Sequence, residues 1–132
     1  MPPRALLLAA CLTVHAGTGA AEANLTGNQL LSACDDTANL AAQGFCIGYI
    51  IGALEGMTWG AAVPAIGMGA NTEATNRIVQ GLLGFCLPEG PTYGQYQDIV
   101  VARLRANPET RHWSARMLIQ QAMVEAFTCP AE

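Results

Sequence analysis

The sequence predicts an all-α domain, a small bundle of about five helices stapled by two disulfides. Three observations predict it. No segment sustains the period-two alternation with β-branched enrichment that a strand shows. Apolar residues recur at three- and four-residue steps in several segments bounded by capping and breaking signals. Four cysteines follow an N-terminal export pattern, an even number that suits two disulfides in an oxidising compartment.

The export pattern is MPPRALLLAACLTVHAGTGAAEA. Arg4 precedes an apolar run from Ala5 to Val14, and small residues follow, as in a secretory signal peptide. Ala21-Glu22-Ala23 supplies a cleavage site, with Thr18-Gly19-Ala20 an alternative, and cleavage after Ala23 makes residues 1–23 the leader and 24–132 the domain. Leu8-Ala9-Ala10-Cys11 also fits a lipoprotein cleavage box, although the apolar run continues past Cys11. The expected location is the periplasm. The remaining cysteines are Cys34, Cys46, Cys86 and Cys129, for which three pairings exist. No C-x-x-C occurs, which argues against a redox motif or a zinc knuckle.

Thr26-Gly27-Asn28-Gln29 reads as a capping box opening a short helix through Leu30, Leu31 and Cys34. Asn24-Leu25-Thr26 matches a glycosylation acceptor, a three-residue coincidence with the cap. Asp35-Asp36-Thr37 reads as a turn, and a second helix is expected from about Ala38 to Thr58. Pro64 should end or kink any helix, so residues 60–71 are expected to be irregular. A third helix is expected over Thr72 to Leu83, then a break through the prolines at 88 and 91. Thr92-Tyr93-Gly94-Gln95 is a second capping box, starting a fourth helix at Tyr93 with Tyr96, Ile99, Val100 and Leu104 on one face. Asn107-Pro108-Glu109 connects it to a fifth helix with a stripe of Ala115, Leu118, Ile119, Ala122, Met123 and Phe127.

The second helix carries the least ordinary pattern. In GFCIGYIIGALEGMTWG, glycine stands at 44, 48, 52, 56 and 60. A membrane span with a small-residue dimer face would need about 20 apolar residues. Glu55 interrupts such a span, at a cost of about 3 kcal/mol at the bilayer centre. No stable membrane span is therefore expected. The favoured reading makes Gly44, Gly48, Gly52 and Gly56 a groove that lets a neighbouring helix approach closely. Each glycine then costs about 1 kcal/mol of helix propensity relative to alanine. Glu55 is expected to be buried and hydrogen-bonded.

Function classes can be excluded from composition. The net charge is −4 and lysine is absent, a poor match to nucleic acid. His112 is the one histidine after the leader and reads as a surface or capping residue. No paired-carboxylate or metal-ligand spacing occurs, so no catalytic residue, metal or cofactor is expected, and the protein is not read as an enzyme. The arginines at 103, 105, 111 and 116 read as a solvated face. Trp59 and Trp113 suit either an interface or a core.

Phe45-Cys46-Ile47-Gly48-Tyr49-Ile50-Ile51-Gly52, Phe85-Cys86-Leu87-Pro88-Glu89-Gly90 and Ala126-Phe127-Thr128-Cys129-Pro130, in that order, resemble the Rap/Tai family of type VI secretion amidase immunity proteins. Leu30-Leu31-Ser32-Ala33-Cys34 and the 94–112 segment are similar too. The resemblance implies a helical periplasmic protein that binds and occludes a peptidoglycan amidase effector with a papain-like Cys–His site, commonly as a homodimer. It implies structural roles for the cysteines and glycines. It puts partner contacts in the 60–76 segment and its border, with Trp59, Ile66, Met68 and Asn71 as candidates. The 60–76 segment departs from the family pattern in being apolar and glycine-rich. The alternative is a small helical periplasmic chaperone or apolar-ligand carrier with residues 60–70 as a pocket lip. Chain proximity favours the pairs Cys34–Cys46 and Cys86–Cys129.

Overall fold

A computed structural model describes residues 24–130. The segment expected to be a leader and its candidate cleavage sites, Cys11 included, lie outside the described residues. Five α-helices follow in order: α1 (Gly27–Asp35), α2 (Leu40–Gly67), α3 (Thr72–Leu83), α4 (Tyr93–Ala106) and α5 (Ala115–Ala126). A single 3₁₀ turn, Pro108–Thr110, lies between α4 and α5. Among the described residues there is no strand, only an isolated antiparallel bridge between Thr26 and Ser114.

Both capping boxes form. Thr26 Oγ1 accepts from the Gln29 N–H while Gln29 Oε1 accepts from the Thr26 N–H, and Thr92 and Gln95 repeat the exchange. Each reciprocal pair satisfies two N–H groups that a helix start leaves free. Asn39 and Asn71 cap α2 and α3 through their side-chain oxygens. Gly84 ends α3 in the left-handed conformation at φ 76°, a region glycine enters without a Cβ clash.

α2 differs most from expectation. It runs through Gly60 and Pro64 to Gly67, so most of the segment expected to be irregular is helix. Proline at 64 removes the hydrogen bond to the carbonyl of residue 60. Gly60 and Pro64 are both exposed, so water can take that carbonyl and the helix continues. At 28 residues α2 is about 42 Å long.

This helix organises the fold, touching each of the other four. Cys46, Ile50, Leu54, Ala62 and Ala65 form its buried stripe. Leu30 and Leu31 of α1, Val100 and Leu104 of α4, and Leu118, Ile119 and Met123 of α5 complete the core against it. α3 folds back after the short Met68–Asn71 turn and buries Thr75, Val79 and Leu83.

Two disulfides close the structure, Cys34–Cys46 and Cys86–Cys129. The first ties the end of α1 to the first turns of α2. The second ties the α3–α4 connection to the chain beyond α5, beside a hydrogen bond from the Cys86 N–H to the Phe127 carbonyl at 3.0 Å. The arginines around the last connector bind within the fold. Arg103 reaches Glu125 and Gln121 on α5, at 2.8 and 2.9 Å, and Arg105 reaches Asp35 at 2.6 Å. Arg111 donates to the carbonyls of Leu104 and Arg105.

Candidate functional site

The outer side of α2 stands apart from the rest of the surface. The helix is apolar all round, a composition that normally accompanies full burial. Here the described residues cover one side only. By length and composition α2 could cross a membrane, and only 17% of its most apolar window is buried. Along its outer side Phe45, Trp59, Val63 and Ile66 are exposed, at steps of three, four or multiples of seven that keep them on one face.

The glycine row shares that side, and its expected role within the bundle needs correction. A Cβ built on Gly44, Gly48, Gly52, Gly56 or Gly60 would meet nothing within 4 Å, so among the described residues no helix seats against the row. The buried stripe through Cys46, Ile50 and Leu54 faces the core, and four-residue steps from Gly44 fall on the opposite side of the wheel. Gly48, Gly52 and Gly56 instead floor an open trough of about 470 Å³, flanked by Tyr49, Ala53 and Met57 and bounded by Arg116 of α5.

Three of the candidate contacts lie together at the far end of this face. Trp59 is 66% exposed and Ile66 half exposed, one above the other on the outer side of α2. Met68, 79% exposed, caps the same helix. Asn71 differs in kind, because its side chain accepts from the Ala74 N–H and holds the start of α3. Residues 60–67, expected as part of an irregular pocket lip, continue α2 as helix, and none of residues 60–70 lines the cleft between α2 and α4.

A cleft of about 500 Å³ opens instead between the middle of α2 and the start of α4. Ile51, Leu54, Glu55, Thr58 and Trp59 line it from α2, Leu87 from the α3–α4 connection, and Tyr93 and Tyr96 from α4. Glu55 is exposed, contrary to the buried, hydrogen-bonded role expected from its apolar neighbours. At position 55 the carboxylate falls beside the glycine row, on the side the chain leaves open. The sequence signal for the cleft was weak, since Leu87 and Tyr93 come from segments read only as a break and a cap.

Among the described residues, no reactive constellation accompanies these surfaces. Cys34, Cys46, Cys86 and Cys129 are all disulfide-bonded. His112 is exposed and stacks edge-on against Trp113, with ring centroids 6.0 Å apart. Among the described residues no group of three or more His, Cys, Asp or Glu side chains is placed to hold a metal.

A disulfide-stapled helical domain with an uncovered apolar helix face has the make-up of a small binding protein. The chain matches the family model of the Rap1a immunity proteins over residues 26–129, and it belongs to that family. Searches of curated proteins and of solved structures returned no match.

Proposed function

We propose that the protein is a periplasmic immunity protein that binds and occludes a peptidoglycan amidase delivered by type VI secretion, without chemistry of its own. Family membership over nearly the whole domain carries this reading. The uncovered face of α2 supports it physically. Contiguous exposed apolar surface on a small protein marks a site of association. Exposed tryptophan beside aliphatic residues is the composition of an interface centre. Trp59, Ile66 and Met68 are the contacts we assign to the effector, and the net charge of −4 would speed encounter with a basic one. Two disulfides suit the oxidising periplasm. The glycine trough would seat a second copy if the protein dimerises.

The test is inhibition of a purified papain-like peptidoglycan amidase, taking any encoded beside this gene first. Near-equimolar oxidised protein should abolish peptidoglycan hydrolysis, and periplasmic co-expression should protect cells from lysis. A folded protein that forms no complex with the amidase and gives no protection would sink the reading.

A further inference from the structure

We propose that the cleft between α2 and α4 is a binding site for a small organic cation, an ammonium or guanidinium group carried on an apolar stem. Three aromatic rings, Trp59, Tyr93 and Tyr96, share the cleft with one carboxylate, Glu55. The faces of such rings carry partial negative charge and attract cations, most strongly where water is partly excluded. Leu54, almost fully buried, provides an apolar floor for the stem.

The charges around the cleft agree. Among the described residues Glu55 has neither an ion-pair partner nor a hydrogen-bond partner. Arg77, Arg103 and Arg105 are committed to Glu73, Glu125 and Asp35, and none of the described arginines lines the cleft. The adjoining groove, which shares Thr58 and Leu87, adds the carboxylate of Glu89. An anion would meet the Glu55 carboxylate and no cationic side chain among the residues that line the cleft. A neutral apolar ligand would leave the carboxylate without a role. A hard metal ion needs more oxygen ligands than one carboxylate offers.

The cation could be a free small molecule or a side chain of a protein partner, and the probes separate these sources. Backbone NMR signals of the oxidised protein would be followed during titration with choline, with its uncharged isostere 3,3-dimethylbutanol, and with N-acetylargininamide. We expect saturable shifts from a cationic probe at Trp59, Leu87 and Tyr93, with the isostere about fivefold weaker or more. Stronger binding of choline points to a free ligand, and stronger binding of the arginine amide to a partner's side chain. Glu55→Gln should weaken cation binding about fivefold, and Trp59→Ala or Tyr93→Ala by a similar factor. All three residues are exposed, so the variants should fold, which their thermal melts would verify. Equal binding of the isostere, unchanged binding to Glu55→Gln, shifts mapping elsewhere or no saturable shift would overturn the assignment. No effector enters the test, so its failure is separable from that of the immunity reading.

Discussion

Gly27 lies so close to Leu118 that a Cβ on it would stand 2.5 Å from the leucine's Cδ1 and 3.0 Å from the Arg111 carbonyl oxygen. The first turn of α1 is pressed into the corner between the α4–α5 connector and α5. Backbone bonds hold it there: Gly27 N–H to the Trp113 carbonyl at 3.0 Å, Asn28 N–H to Arg111 at 2.9 Å, and Ala115 N–H to the Leu25 carbonyl at 2.7 Å. Gly27→Ala should therefore destabilise the protein by about 1–3 kcal/mol, the usual range for overpacking a core. A thermal melt that matches the parent protein would show that α1 can shift outward freely.

Gly52→Ala should act in the opposite direction. Its Cβ would enter open space, and alanine is favoured over glycine in a helix by about 1 kcal/mol. The melting temperature should rise by about 4–8 °C if the trough is empty in solution. If a second copy seats there, the same variant should lower dimer affinity, read by light scattering across a dilution series. A monomer at every concentration with an unchanged melt would contradict both expectations.

Substitution on the outer face should separate binding from folding. Trp59→Ala and Ile66→Ala remove exposed side chains, so stability should change by less than about 0.5 kcal/mol. Effector affinity should fall by about 2 kcal/mol or more for Trp59→Ala if it is an interface anchor. Titration calorimetry with the amidase and a parallel melt check this. Unchanged affinity in both variants would move the interface elsewhere.

The two disulfides should respond to reductant in sequence. Cys34 and Cys46 are buried, whereas Cys129 is exposed and Cys86 only partly covered. Mild reduction with alkylation should therefore label Cys86 and Cys129 first. Their bond spans 43 residues of sequence against 12 for the other, so loop closure alone makes it worth about 4 kcal/mol against about 3. Early labelling of Cys34 would mean that α1 opens before the C-terminal segment does.

Thr75 offers a stabilising change. Its hydroxyl is buried beneath α3 with no hydrogen-bond partner among the described residues. Thr75→Val keeps the shape and removes the unpaired polar group, so stability should hold or rise by about 1 kcal/mol. A clear loss in chemical denaturation would indicate a water bound to that hydroxyl.

Sequence alone determined the local elements of this protein. Both capping boxes, the span of α3, the start of α4 and the core stripe of α5 were legible because each rests on contacts within one or two helical turns. The cysteine pairs followed from chain proximity, and the ordered motifs around them pointed to the family. Tertiary structure alone decided which sides of α2 are covered. An all-apolar helix has no polar face to show where solvent lies, so Glu55 and the glycine row could be placed inside or outside with equal local logic. Packing of the other four helices along α2, with Cys46, Ile50, Leu54, Ala62 and Ala65 buried, turned both outward. The same packing let α2 pass Pro64, gave Gly27 a role beyond its cap, and brought Leu87 and Tyr93 beside Trp59. These relationships join residues far apart in the chain, whose proximity no local pattern encodes.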